Sequence, residues 1–340
     1  MIHILPVLVL ALLLGWQIDD RMFTDFRDIY LLSNPIGVRI NNFYYKYTLY
    51  PAEVFKPLSQ KMLKTGAIKS DENDSGIVLE SILLNYDYIP LEGDVNADLG
   101  IVAIKDDLKL ENRNKTVMQI STRAFLAEPD KVIRQFEKQS DNDSLLRQLT
   151  FISLLFGFPL AVYVVFHGLI SILAGIFFNS KGVSIIASMF CFVICIILLL
   201  VFQFSRGREV PVPNLPEALD SQRWQARVGA LKIIDEKGLE ISQFKSYPTL
   251  LKSTHIAEQY WLVKTLGNSK NPLTFNDLLH FLNDPHPNVV TMALYAIGKR
   301  GSRDMTDDIM HIITTTDNWY IQWYAYKALR SIGWRQAKSN

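Results

Sequence analysis

Thirty consecutive residues, Leu149 to Phe178, contain no Asp, Glu, Lys or Arg. As a helix, such a run would extend about 45 Å, more than the roughly 30 Å hydrocarbon core of a bilayer. A run this long and apolar has no place as an ordinary core helix and is read as a membrane segment. Its surplus length calls for tilt or a break, and Pro159 is the expected kink. A second run, Val183 to Phe204, is the length of one span and follows after only Asn179 to Gly182, so the two are expected to form a tight antiparallel helical hairpin. A third run, Ile2 to Trp16, is shorter. No Lys or Arg precedes it and no small-residue cleavage site follows, so it reads as an uncleaved anchor rather than a signal peptide. The expectation is three transmembrane helices, over 1–16, 149–178 and 183–204.

Charge sets the orientation. With three spans, residues 17–148 and the tail after 204 lie on one side. Near the membrane that side holds Arg21, Arg27, Arg134, Lys138, Arg147, Arg206 and Arg208, against Lys181 and the N-terminal amine opposite. The positive-inside rule puts both soluble regions in the cytoplasm, with the chain integral to a bacterial plasma (inner) membrane. The alternative, a cleaved signal peptide with everything soluble outside, leaves Arg147, Arg206 and Arg208 on the wrong side of the hairpin. The far-side segments are then only a few residues long, which counts against a membrane-linked signalling protein that senses an external ligand.

Net charge is +1, so no global basic field points to nucleic acid. Cys191 and Cys195 are the only cysteines and both lie in one apolar run, so there is no disulfide framework. Residues 17–148 read as a small α+β domain. Helices are expected over Ala52 to Thr65, Gly76 to Asn85 and Asp130 to Gln139. A hairpin is expected from Leu108–Leu110 through Asn112–Lys115 to Val117–Ile120. Phe43, Tyr44, Tyr45, Tyr47 and Tyr50 crowd the stretch from Ile40 to Tyr50, fitting either an interfacial helix or an aromatic core face. Two helices and a hairpin also describe a winged helix. Asp106, Asp107 and Glu111 among Lys109, Arg113 and Lys115 would repel phosphates, so nucleic-acid binding is not expected.

Beyond 204, residues 205–216 form a Pro-rich linker expected to be extended and semi-rigid. Self-similarity follows over 217–335. Ala226–Ile234, Glu258–Leu266, Val289–Ile297 and Ile321–Leu329 are offset by 32, 31 and 32 residues, a period that signals stacked helical units. Positions 230, 262, 293 and 325 are Ala, Leu, Ala and Ala, mostly small, as close helix packing needs. Positions 234, 266, 297 and 329 are Ile, Leu, Ile and Leu, an apolar seam. Gly238, Gly267, Gly301 and Gly333 close the units as breakers. Shorter helices are expected at about 247–253, 275–283 and 306–315.

These residues resemble the HEAT-repeat family in its short bacterial form. Its pattern of Asp-Pro, spaced alanines and a closing Ile-Gly is visible in Asp284–Gly301 and in Ile321–Gly333. Arg227 alone holds the family's usual Arg position. The resemblance covers about a third of the chain and implies an α-solenoid that binds macromolecules. The fold class expected is thus a multi-domain membrane protein with three transmembrane helices, an α+β N-terminal domain and an all-α HEAT-like solenoid.

One column suggests a binding face. Positions 232, 264, 295 and 327 are Lys, Lys, Tyr and Lys, off the apolar seam, with Tyr260, Trp323 and Arg330 adjacent. Equivalent positions align into a ladder along a solenoid, and aromatic and basic groups together suit a protein partner; a solvated lysine face is the plainer reading. Within the second run, His167, with Tyr163 and Ser171 one turn to either side, is a candidate intramembrane polar site. Gly157, Gly168 and Gly175 are candidates for close helix contact.

No catalytic or metal pattern is present. His255, His280, His286 and His311 lie in the repeats. Deoxyhypusine hydroxylases, which are HEAT-repeat enzymes, bind iron through His-Glu dipeptides, and no histidine here is followed by Glu. Neither an enzyme nor a cofactor is expected. The function expected is a membrane-anchored scaffold or adaptor with a protein partner, the alternative being an accessory subunit of a membrane enzyme or transporter complex.

Overall fold

A computed structural model describes residues 4–19, 21–48, 53, 56–61, 64–69, 73–91, 96–177, 180–206 and 210–334. Three helices come first: α1 (Ile4–Gln17), α2 (Met22–Phe26) and α3 (Pro35–Phe43), with π-helical turns at Arg27–Leu31 and Tyr44–Thr48. A mixed region follows: β1 (Lys64–Lys69), α4 (Asn73–Asn85), β2 (Tyr88–Leu91), β3 (Leu99–Ile104), β4 (Asp107–Asn112), β5 (Lys115–Ser121), α5 (Thr122–Ala127) and α6 (Pro129–Gln139). Then come two long helices, α7 (Ser144–Ala174) and α8 (Ser180–Ser205). The remainder is helical: α9 (Leu215–Leu219), α10 (Trp224–Lys237), α11 (Tyr247–Leu250), α12 (Ile256–Leu266), α13 (Thr274–Phe281), α14 (Pro287–Arg300), α15 (Thr306–Thr315) and α16 (Trp319–Ser331). The chain divides into two compact units. One comprises Met1–Asn41, Leu145–Lys237 and Phe244–Trp261; the other comprises Asn42–Ser144, Gly238–Gln243 and Leu262–Asn340.

In the first unit, α7 and α8 are long and apolar enough to cross a membrane, and they are the only two such helices among the described residues. This corrects the count of three, because α1 has 14 helical residues and reaches about 21 Å. The shortfall traces to the polar sequence after Trp16, where Gln17 ends the helix. α1 nevertheless packs with the pair. Leu10 shares a buried cluster with Tyr163, Cys191 and Cys195, and Gln17 Nε2 donates to the Leu199 carbonyl at 3.3 Å. Cys191 Sγ lies 3.1 Å from the Tyr163 carbonyl oxygen. Leu10 is thus level with Tyr163 and Cys191, and Gln17 with Leu199, so α1 runs parallel to α8 and antiparallel to α7. Helix α7 continues through Pro159. A Cβ on Gly157 or Gly168 would meet nothing within 4 Å, so neither glycine serves a close helix contact inside this unit. Outward, the pair presents an almost unbroken surface of Leu, Ile, Val and Phe, including Phe151, Leu154, Val165, Leu169, Ile185 and Ile197.

The Pro-rich stretch is extended at Pro211 but not beyond it. Val212–Asn214 is a 3₁₀ turn running into α9, whose Leu215 and Leu219 are buried. Pro216 stands in the first turn of α9, where a missing N–H costs nothing, so the prolines start a helix rather than stiffen a tether.

In the second unit, the N-terminal region contains a five-stranded sheet of order β2-β1-β3-β4-β5. β1 is parallel to both β2 and β3, and β3-β4-β5 is an antiparallel meander. The β4–β5 hairpin stands where expected. Its turn residues Arg113 and Asn114 both have positive φ, as the type of two-residue turn that matches strand twist demands. Of the helix expected over Ala52 to Thr65, Glu53 is helical, but Leu58–Gln60 is a single 3₁₀ turn and β1 begins at Lys64. Residues 52, 54, 55, 62 and 63 lie outside the described residues. A β-α-β unit through α4 replaces the winged-helix alternative. At Gly66 a Cβ would come within 2.7 Å of Leu83, so the bare backbone lets α4 sit close on β1. Leu79, Leu83, Tyr88, Leu99, Ile101, Leu108, Leu110, Phe125, Ile133 and Phe136 form the core.

The repeats in this unit pack as their columns require. Leu262, Leu266, Ala293, Ile297, Ala325 and Leu329 are all fully buried. Gly301 and Gly333 end α14 and α16 in the left-handed conformation. Gly267 acts differently. A Cβ there would sit 3.1 Å from the Ala296 Cα, and one on Gly298 would sit 3.0 Å from the Ala328 Cα, so these two glycines set the spacing between successive long helices.

Candidate functional site

Four of the basic and aromatic side chains singled out on the repeats, Lys232, Tyr260, Lys327 and Arg330, contact the chain's own N-terminal segments, and they do so separately within each unit. In the first unit, Lys232 on α10 lies 2.8 Å from Asp25 and 2.8 Å from Asp28. Asp28 is 1% exposed and sits in the π-helical turn, where Arg27 contacts it at 2.7 Å and Trp261 Nε1 donates to it at 2.9 Å. Arg27 in turn lies over the Tyr260 ring, 4.0 Å from its centroid. Arg206, just beyond α8, donates to Asp25 at 2.9 Å and to Asp19 at 2.6 Å, and it also bonds the Gln17 carbonyl. The ends of α1 and α8, the turn after α2 and the first repeat helix are therefore joined by one hydrogen-bonded chain of charges.

The electrostatics follow from that geometry. Burial pushes the Asp28 carboxyl upward, but Arg27 and Lys232, with hydrogen bonds from Lys232 and Trp261, outweigh it and hold the group below its ordinary range. Asp19 is held low chiefly by its hydrogen bond from Arg206. Each carboxylate is thus ionised and paired at neutral pH, as burial of charge requires. Arg227 bonds Glu258 through Nε at 2.8 Å and ties α10 to α12 within this unit.

In the second unit, Lys327 on α16 pairs with Asp87 at 2.8 Å, and Arg330 pairs with Glu80 on α4. Trp323 is buried and, with Lys327 and Arg330, faces Ser81, Asn85 and Tyr88 across a cavity of about 300 Å³. Lys46 reaches Asp317 at 2.8 Å, Trp319 Nε1 donates to the Lys46 carbonyl, and Tyr45 packs on Tyr320 with ring centroids 4.7 Å apart. Part of the tyrosine-rich stretch therefore packs against the last repeat; Tyr50 lies outside the described residues. Tyr295 is half-buried beside Lys299, and Lys264 is half-buried on α12. Deeper in the sheet domain, Lys64 and Tyr88 both donate to Glu137 Oε1, at 3.1 and 3.0 Å, and all three are buried.

Sequence reasoning singled out the cationic half of these contacts and missed the anionic half. Asp25, Asp28, Glu80 and Asp87 stand roughly 200 residues or more from their partners, and nothing local marks them. The one usable signal was the spacing of Asp25, Asp28 and Leu32, which places two carboxylates on the inner face of a helix.

In the apolar hairpin, His167 stacks on Tyr163 with centroids 5.9 Å apart and lies 3.5 Å from Ser171 Oγ, within one helix. Of the repeat histidines, His255 stacks on Trp224, while His280 and His311 are exposed. No group of three metal-ligating side chains gathers among the described residues.

A family model described as HEAT repeats matches residues 247–330, and the rest of the chain matches no family. No curated protein matches the chain. Residues 247–330 are HEAT repeats, a fold commonly used as a protein-interaction scaffold.

Proposed function

We propose that the chain is a membrane-anchored scaffold, in which α7 and α8 lie in a bilayer and the HEAT repeats present a surface to a protein partner on the cytoplasmic side. The observation that carries the reading is the coupling of two features in one chain. One is a recognition-type repeat fold over 247–330. The other is a pair of helices whose outward faces are large apolar side chains along nearly their whole length. Such a surface is far larger than the scattered apolar patches that water-facing proteins carry, and a bilayer covers it without cost.

Because Lys232, Tyr260, Trp323, Lys327 and Arg330 bond or pack against the chain's own segments, the partner surface we assign is the outer layer of short helices. There α13 and α15 expose His280 and His311, and Leu273 stands out just before α13. The test is purification of the full chain from native membranes in mild detergent, with cross-linking and mass spectrometry. A stoichiometric partner linked through exposed repeat lysines such as Lys270 and Lys299 supports the scaffold. A partner-free preparation rejects it.

The stacked His167–Tyr163 pair favours a second reading, an accessory subunit of a membrane enzyme or transporter that meets its complex through the spans. Under that reading His167→Ala abolishes a membrane activity and leaves the repeats folded. Under the scaffold reading it leaves partner capture unchanged.

A further inference from the structure

The segment between α1 and the sheet domain has its amphipathicity reversed. Two of its carboxylates point inward: Asp25 and Asp28 bond to Lys232, Arg206 and Trp261. Five of its large apolar side chains point outward. Phe23 is 76% exposed, Ile36 72% and Ile40 55%, with Phe26 and Tyr30 also on the outside. The two sets follow helical spacing, with 23, 26 and 30 on one face and 25, 28 and 32 on the other. In water this arrangement would leave five large apolar groups uncovered while burying carboxylates beneath them.

We propose that residues 22–40 form a collar whose outer face lies in the lipid headgroup and upper acyl region of the membrane, while its inner face clamps the first repeat. This deepens the membrane-anchored reading and rests on it. Three observations name lipid as the occupant. First, the collar begins at the end of α1 that is level with Leu199 near the end of α8, and it bonds to Arg206 just past that end, so it lies at the polar boundary of the apolar helices. Second, its outer face runs without interruption into an apolar groove of about 440 Å³. Met22, Phe26 and Tyr30 line that groove together with Leu14, Val162 and Phe202 of the apolar helices. Third, exposed Arg39 sits between Ile36 and Ile40 on the outer face of α3, placed to reach lipid phosphates while the isoleucines enter the acyl layer. The close approach of α3 to the preceding turn keeps this face outward. A Cβ on Gly37 would come within 2.8 Å of the Leu31 Cα, so the two helical pieces fold flat against one another.

The test uses the full chain in phosphatidylcholine–phosphatidylglycerol vesicles, with an environment-sensitive dye on one introduced cysteine at a time. Both native cysteines are buried and are left in place. Probes are Phe23→Cys and Ile36→Cys on the collar, Leu169→Cys on the hairpin and Lys237→Cys on the repeats. Lipids brominated high on the acyl chain are expected to remove most of the signal at 23 and 36, with iodide in the water removing little. Position 237 is expected to behave in the opposite way. Collar probes that follow position 237 overturn the proposal. Collar probes shielded from both quenchers also overturn it, because a protein, whether a second copy or a partner, then covers the face. If position 169 is itself quenched by iodide alone, the membrane-anchored reading fails, and the collar fails with it.

Discussion

In the first unit, Asp28 ties the turn after α2 to α10 and α12. It is 1% exposed and joins Lys232, Arg27 and Trp261. Asp28→Ala would remove the acceptor of the Trp261 indole N–H and one of the two carboxylates that Lys232 holds, the other being Asp25, and breaking a buried pair from one side costs about 3–5 kcal/mol. We expect a loss of that size in denaturant unfolding of the full protein in detergent. Replacing both partners, Asp28→Leu with Lys232→Met, should recover much of it. A double variant no more stable than Asp28→Ala would show that the pair is not the source. The same carboxylate fixes a pH response. Its folded pKa lies below the ordinary aspartate value, so the stabilisation is fully present above the unfolded value and is lost as pH falls through the lower folded value. Asp19, also held low, acts in the same direction. Stability of the clasp should therefore be flat from neutral pH down to about 5 and fall only in strong acid, below the usual carboxylate range. A midpoint near pH 6 in a stability titration would assign the transition to some other group.

Among the elements, the long repeat helices depend on glycines that act as spacers. Gly298→Leu would place a branched side chain where the Ala328 backbone already stands. Overpacking of this kind costs about 1–3 kcal/mol and should part α14 from α16, seen as faster amide exchange in both helices. Exchange unchanged from the parent protein would mean that the gap is wider than drawn. This contact also shows how far the sequence could be read. The period near 30 exposed the repeats and their alanine columns, because neighbouring units repeat the same packing problem. Gly267 read as a terminator from its place at the end of a unit, and only the facing Ala296 shows that it is a spacer. β4 and β5 were legible through their turn residues and alternation. β1 was not, because Lys-Thr-Gly-Ala-Ile-Lys has neither alternation nor a β-branched run and sits between two parallel neighbours. The ladder of Lys232, Tyr260, Lys327 and Arg330 was legible as a set of residues. Its occupants were not, since Asp25, Asp28, Glu80 and Asp87 come from segments distant in sequence, and no local rule couples them.

For the molecule as a whole, the same chemistry recurs in each unit: cations on repeat helices take carboxylates from the N-terminal third. Within each unit the chain thus uses part of its helical repeats to hold its own N-terminal segments. In the proposed arrangement, α7 and α8 cross a bilayer with the repeats on the cytoplasmic side. The most direct measurement is protease digestion of native membrane vesicles, right-side-out and inverted, after an alkaline carbonate wash. The chain is expected to stay with the washed membranes, and the repeats, followed by an antibody to 217–334, to be digested only in inverted vesicles. Release of the chain by carbonate, or digestion of the repeats from the outer face, would contradict it.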